Sequence, residues 1–329
     1  MAYYDFQTDR VTSEIRTRKA RRVLLQFPDG LKQFGLQIAA DLEKETGALV
    51  YISGDHCYGA CDLPLDEATR LDADLIVHYG HAKFELKDTP NVLYVYSESN
   101  IDVLPIVQKA LSYLEKFTRI GLITTVQHVG RINEMAELLS KHGKEVSIGK
   151  PGGHIELAGQ VLGCDYTTAR NVKDDVEAYL FVGGGDFHPL GAAMATGRPV
   201  TVADPYLNEV RDITLLARQT LVKRRGAIMK LVEAKNIGII VSSKTGQSNY
   251  RLAEELKRRF AAEGKGVTLL CITEVTPVTL DNFPELEAFV NTACPRIGMD
   301  DSDRYHKPIV SAEDAMAALR KTMDKLICL

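Results

Sequence analysis

Ser53-Gly54-Asp55-His56-Cys57-Tyr58-Gly59-Ala60-Cys61-Asp62-Leu63 follows the apolar run Ala48-Leu49-Val50-Tyr51-Ile52. The run reads as a buried strand, and the chain then breaks into glycine, acid, histidine and two cysteines. Loops at the C-terminal ends of parallel strands are where open α/β sheets keep their ligands. Working outward, Val23-Leu24-Leu25-Gln26-Phe27 is a preceding strand. Asp29 is a candidate helix N-cap after it. Leu31, Phe34, Ile38 and Leu42 then recur at helical spacing until Gly47. Residues 64–71 read as helical, and 75–79 and 92–96 as two more strands. Strand, helix, strand, helix, strand is the signature of a small parallel sheet.

The pattern then restarts twice. In the second unit, 101–117 is a connecting helix and 119–124 a strand. A helix with Ile132, Met135, Leu138 and Leu139 stops at Gly143, and strands follow at 146–148, 178–182 and 200–203. In the third, 213–235 is a long helix. Strands at 237–241, 267–272, 288–292 and 308–311 follow, with a helix carrying Leu252, Leu256 and Phe260. The period, about 110 residues, is too long for a solenoid. The expectation is an α/β protein of three similar domains, 1–105, 106–212 and 213–329. Each should hold a small, mostly parallel sheet of about four strands flanked by helices.

Composition excludes several classes. The 329 residues are 45% hydrophobic and 26% charged, a globular balance with no low-complexity segment. A net charge of −4 argues against a general nucleic-acid binder. No apolar run approaches the roughly 20 residues that span a bilayer, so no membrane role is expected. The first residues lack a signal-peptide core, and the expectation is a cytoplasmic protein. In that compartment six cysteines read as reduced thiols or metal ligands rather than disulfides.

Cys271, inside an apolar strand, reads as a core thiol, and Cys328 as a tail thiol. Cys57, Cys61, Cys164 and Cys294 all lie in Gly-, Asp- or Pro-rich loops after strands. They read either as accidental loop thiols or as parts of one shared metal or cluster site to which each repeat contributes. A structural zinc wants four ligands, so three cysteines from three domains leave one position open. On a 4Fe–4S cluster, three thiolates leave the fourth iron open to substrate. The Cys-x3-Cys pair lacks the third cysteine of the ordinary radical SAM motif, because Leu63 and Pro64 follow Cys61.

Other loops carry weaker signals. Gly183-Gly184-Gly185-Asp186 could let backbone N–H groups approach a polar ligand, with Gly184 and Gly185 as candidate contacts, or it could be a tight turn. Ser242-Ser243-Lys244-Thr245-Gly246 lacks the Walker spacing. Arg296, two residues past Cys294, could hold a carboxylate with its fork or form a surface ion pair. His56, His78, His81, His128, His154 and His188 crowd strand ends and read as hydrogen-bonded loop histidines. Lys223-Arg224-Arg225 reads as a solvated helix face.

Residues 53–63, together with Leu162-Gly163-Cys164-Asp165 and Asn291-Thr292-Ala293-Cys294-Pro295-Arg296, resemble the three cysteine motifs of the archaeal diphthamide synthases. These are the radical-SAM-like 3-amino-3-carboxypropyl transferases, or 2-(3-amino-3-carboxypropyl)histidine synthases. The resemblance extends over essentially the whole chain. It implies a homodimer whose domains each give one cysteine to a 4Fe–4S cluster. By motif position the ligands would be Cys61, Cys164 and Cys294, with Cys57 a non-ligand. It further implies cleavage of the Cγ–S bond of S-adenosyl-L-methionine and addition of the 3-amino-3-carboxypropyl radical to C2 of a histidine imidazole. That histidine belongs to translation elongation factor two, the step is the first of diphthamide biosynthesis, and an electron donor is required. Under this reading Arg296 would orient the carboxylate of S-adenosyl-L-methionine, and no side chain is demanded as acid or base.

Two other readings compete. A three-cysteine 4Fe–4S dehydratase or quinolinate-synthase-like enzyme also combines three α/β domains with three cysteines. A non-enzymatic iron–sulfur scaffold or electron carrier would need no substrate beside the open iron. The Gly59-Ala60-Cys61-Asp62 and Ala293-Cys294-Pro295-Arg296 stretches favour the transferase.

Overall fold

The structure, a computed structural model, describes residues 3–84, 91–299 and 302–320. Cys328 lies outside the described residues. Three sheets carry the fold, and they share one strand order. The first is built from Leu49–Ile52, Arg22–Gln26, Leu75–Tyr79 and Val92–Val95 in that spatial order, all parallel. In chain order its strands lie 2-1-3-4. The third sheet repeats this with Gly266–Ile272, Asn236–Ser242, Ala288–Asn291 and Ile309–Ser311, again all parallel. The second places Glu145–Ser147, Arg119–Thr124, Ala178–Val182, Val200–Asp204 and Glu209–Asp212 in the order 2-1-3-4-5. The internal repeat seen in the sequence is thus a repeat of topology. A two-stranded antiparallel ribbon, Tyr4–Asp5 with Glu98–Ser99, is additional.

By packing, the chain divides into two compact units, Met1–Gly185 with Thr201–Arg211, and Asp186–Val200 with Asp212–Leu329. The first two sheets fall in the larger unit, apart from the end residues Val200 and Asp212, and the third falls in the smaller.

The first sheet shows how sequence period sets the site. Val23, Leu25, Leu75 and Val77 are fully buried and pack on Ile38 and Leu42 of the helix Gly35–Thr46. Phe27 and Tyr79 extend that layer, with rings stacked at 4.5 Å. Alternate residues point to the other face. There Leu24 and Ile76 are buried, followed by two polar residues, Gln26 and His78, paired in register at the carboxyl end. In a 2-1-3-4 sheet the connections diverge between strands 1 and 3, and their carboxyl ends form the crevice where such folds bind ligands. Gln26 and His78 stand on those two strands.

Several expectations change. The helix expected to begin at Asp29 opens with a 3-10 segment, Asp29–Phe34. The Asp29 carboxylate turns to Lys32 and His56, at 2.8 and 2.6 Å, instead of capping. Cys271 is exposed rather than buried, because Gly266–Ile272 is an edge strand with Leu270 and Ile272 on its buried face. Arg224 is not a solvated cation, since its guanidinium forks onto buried Asp314 at 2.6 Å through two nitrogens. The 101–117 helix is shorter, Leu104–Ala110 with a 3-10 turn after it. A helix absent from the sequence reading, Phe187–Thr196, follows the triple-glycine loop.

Candidate metal centre

Cys61 lies in the loop between the second strand of its sheet, Leu49–Ile52, and the helix Leu65–Arg70. Cys164 has the equivalent place, between Glu145–Ser147 and the helix Thr167–Asn171. Cys294 differs, following the third strand of its sheet, Ala288–Asn291. Cys61 and Cys164 belong to the larger unit and Cys294 to the smaller. Cys61 and Cys294 are half-buried and Cys164 is exposed, and among the described residues none forms a disulfide. All three loops therefore leave the C-terminal side of a parallel sheet, although not after the same strand.

Each loop is held by its own polar groups. Around Cys294, the buried Asn291 amide donates to the Cys294 and Ile297 carbonyls at 2.8 and 3.1 Å, and its oxygen accepts from the Ala293 N–H at 2.9 Å. Thr292 Oγ1 donates to the Ile240 carbonyl at 2.7 Å, tying the loop to its neighbouring strand. Around Cys164, Asp165 accepts from the His154 and Thr167 N–H groups, both at 2.8 Å, and from the Thr167 hydroxyl at 2.6 Å. Burial raises the Asp165 pKa, but those hydrogen bonds outweigh it and hold the carboxyl below its ordinary value. Around Cys61, Lys32 Nζ donates to the Gly54 and Asp55 carbonyls at 3.0 and 2.7 Å, and Gln26 Nε2 donates to the Asp62 carbonyl at 2.6 Å. The arrangement fixes backbone close to each sulfur while asking little of the cysteine itself.

Arg296 places its guanidinium 3.8 Å from the centroid of the Phe187 ring, a stacking distance that orients the fork. In the triple-glycine loop, Gly185 has φ +75° and donates its N–H to Asp204 at 3.3 Å. A Cβ on Gly184 would lie 3.1 Å from the Tyr206 ring.

The sequence reading missed a second grouping. Cys57, His78 and His81 offer ligand atoms that all lie within 4.8 Å of one another. Cys57 and His78 are buried and His81 is half-buried. Burial, with the Asp62 carboxylate adding, pushes the Cys57 thiol up to about 12. Burial also keeps both histidines neutral. It lowers His78 well below its usual range, and His81 to about 4 against the opposing Tyr79 carbonyl. The signal was present as two polar residues, Gln26 and His78, that interrupt otherwise apolar strands.

His128 is a different case. Its ring is buried beside Tyr206, and neither nitrogen has a hydrogen-bond partner among the described residues. Burial lowers its pKa to about 4, with Asp204 opposing and Arg131 adding. The unfolded state, with a histidine pKa of about 6.5, then binds more protons than the folded state between these values. The stability this group contributes is complete above pH ~6.5 and is lost as pH falls toward 4, by about 3 kcal/mol at most. Chemical denaturation across that range should show the fall, and His128→Gln should reduce it, leaving the part that buried His78 and His81 contribute. A pH dependence identical in the variant would show that His128 does not drive it.

Comparison with known proteins adds the decisive observation. Residues 27–326 match the family described as "Putative diphthamide synthesis protein". The 2-(3-amino-3-carboxypropyl)histidine synthase of Pyrococcus horikoshii is 33% identical over 313 residues, covering 94% of this chain and 89% of that protein. This chain belongs to the diphthamide synthesis protein family. Subunit 1 of the human 2-(3-amino-3-carboxypropyl)histidine synthase is 31% identical, covering 96% of this chain and 72% of the human one. A crystal structure of Dph2 from P. horikoshii with a 4Fe-4S cluster superposes with a TM-score of 0.87 at 32% identity, covering 96% of this chain and 91% of that one. The α/β architecture of several mostly parallel sheets is therefore that of the family.

Proposed function

We propose that this chain is a 2-(3-amino-3-carboxypropyl)histidine synthase. It would transfer the 3-amino-3-carboxypropyl group of S-adenosyl-L-methionine to C2 of a histidine imidazole on translation elongation factor two, the first step of diphthamide biosynthesis. The observation that carries this is the end-to-end likeness, in sequence and in fold, to a synthase and to a cluster-bearing Dph2 structure. The working protein would be a homodimer served by an electron donor. We assign one cysteine to each of three domains, 1–105, 106–212 and 213–329, with Cys61, Cys164 and Cys294 as the cluster ligands.

The donor chemistry fits. Three thiols suit iron in a 4Fe–4S cluster and leave one iron without a protein ligand. When bound, such a cluster supplies the low-potential electron that opens the sulfonium Cγ–S bond. The protein's own work is binding and orientation. Loops braced by Asn291, Asp165 and Gln26 hold the cysteine backbones, so little ordering cost remains when a group binds. Gly184 and Gly185 are proposed contacts for S-adenosyl-L-methionine, where a side chain would obstruct approach.

Arg296 is proposed to hold the substrate carboxylate, which is costly to desolvate unpaired. Its plane is already set by Phe187. A lysine cannot reproduce two parallel hydrogen bonds. Arg296→Lys should keep the cluster and weaken S-adenosyl-L-methionine binding by about 1.5–3 kcal/mol, the worth of a charged hydrogen bond. Equal affinity and equal products in the variant would end the assignment.

The activity itself is tested on the protein substrate. Reduced, anaerobically reconstituted chain with S-adenosyl-L-methionine should add one 3-amino-3-carboxypropyl group to a histidine of elongation factor two, read by peptide mass spectrometry. An unmodified factor, with an intact cluster and cleaved S-adenosyl-L-methionine, would contradict the assigned acceptor.

A further inference from the structure

We propose that Cys57, His78 and His81 form a second metal site, for zinc or a cation of its class, that ties the cysteine loop to the carboxyl end of the strand Leu75–Tyr79. The site is distinct from the cluster ligands, and the proposal does not rest on the enzymatic reading.

The hydrogen bonds fix which ring nitrogens face the site. A backbone carbonyl only accepts, so the Gln26 nitrogen must face the Asp62 carbonyl, 2.6 Å away. The Gln26 oxygen then faces His78 Nδ1 at 2.7 Å, and Nδ1 carries the proton. His78 Nε2 is left with its lone pair, directed at His81 Nδ1 at 3.0 Å. In the metal-free protein His81 Nδ1 must supply the proton between them. A metal-binding histidine commonly has its second ring N–H donated to an oxygen in this way, which fixes tautomer and orientation.

The distances suit a tetrahedral ion. Two nitrogens each about 2.0–2.1 Å from zinc at a tetrahedral angle sit about 3.3–3.4 Å apart. The observed 3.0 Å is a few tenths of an ångström short of that, and the rings would also turn so that both lone pairs meet at the ion. Cys57 Sγ completes a mixed sulfur–nitrogen donor set, the type that selects zinc-class ions over calcium or magnesium. The protons balance simply. The ion takes the place of the proton between the two imidazoles, and that proton moves to His81 Nε2. The thiol proton of Cys57 leaves to solvent. Three protein ligands leave a fourth position for water.

The place in the fold agrees. Gln26 and His78 stand on strands 1 and 3 of the first sheet, at the crevice that this topology opens. Cys57 comes from the loop that also carries Cys61. A cation there would clamp that loop from its buried side.

The test uses the full chain, anaerobically reconstituted with its cluster, then supplied with zinc and dialysed. The expected result is one zinc retained per chain, with a zinc-edge absorption spectrum showing one sulfur and histidine nitrogens. Cys57→Ala and His81→Gln should each weaken zinc binding by roughly 100-fold or more. Iron and sulfide should be unchanged in both, which also reports that they fold. The proposal is overturned if no zinc is retained, if its shell lacks sulfur, or if the Cys57 and His81 variants bind it as the parent does. Loss of iron together with zinc in Cys57→Ala would overturn it too, by placing Cys57 on the cluster.

Discussion

Alanine at Cys61, Cys164 or Cys294 should abolish the intact cluster, whereas alanine at Cys57 or Cys271 should leave iron and sulfide content unchanged. The contrast follows from where each thiol stands. Cys61, Cys164 and Cys294 occupy loops that leave the carboxyl side of a parallel sheet, and none is fully buried. With only three protein thiolates per cluster, losing one leaves too few to retain it. Cys57 is instead buried and grouped with His78 and His81. Cys271 is exposed on the edge strand Gly266–Ile272, within the sheet rather than in a loop beyond it. The Cys328 thiol is expected to tolerate replacement as well. Iron and sulfide assays after anaerobic reconstitution read all six variants. A full complement in Cys61→Ala would show that the first motif ligates through another residue.

Asp314→Ala should destabilise the smaller unit by about 3–5 kcal/mol, the usual cost of removing one partner of a buried ion pair. Asp314 is 2% exposed at the start of the helix Ala312–Leu319, and it accepts two hydrogen bonds of 2.6 Å from Arg224 on the helix Thr214–Glu233. Arg224 is itself only 28% exposed, so the variant leaves a poorly solvated cation facing an apolar methyl. The pair also positions the two helices on the third sheet, from which the Cys294 loop departs. Replacing both residues together, Arg224→Met with Asp314→Leu, should recover most of the loss, because an apolar pair of similar volume carries no desolvation cost. Denaturant unfolding measures both. A loss below ~1 kcal/mol in Asp314→Ala would place this pair with exposed ones of little worth.

The strands were legible because apolar runs between loop residues leave few alternatives. The runs at 75–79, 119–124 and 178–182 are the strands Leu75–Tyr79, Arg119–Thr124 and Ala178–Val182. The common 2-1-3-4 order was visible only as a repeat of element types, since sequence does not state which strands pair. The helix Phe187–Thr196 escaped, and it contains Pro189 and Gly191, two poor helix formers. Pro189 lies in the first turn, where its missing N–H costs nothing.

At the site, loop cysteines announce themselves because glycine and proline around them exclude a strand or helix. The Cys57–His78–His81 group does not, since His78 lies inside a strand and its neighbours come from two segments. Cys271 misled for a related reason. An apolar run shows that a strand exists but not that it lies at a sheet edge. The pairing of Arg224 with Asp314 crosses 90 residues, and nothing local in the Lys223-Arg224-Arg225 run reports it.

The central claim, that this chain opens the Cγ–S bond of S-adenosyl-L-methionine, is tested most directly by the nucleoside it leaves behind. Reconstituted, reduced chain should convert S-adenosyl-L-methionine to 5′-methylthioadenosine, and Cys164→Ala should form none. Formation of 5′-deoxyadenosine would contradict the account, because the bond to the adenosyl carbon would then be the one that breaks. No cleavage by a chain holding its full cluster would contradict it equally.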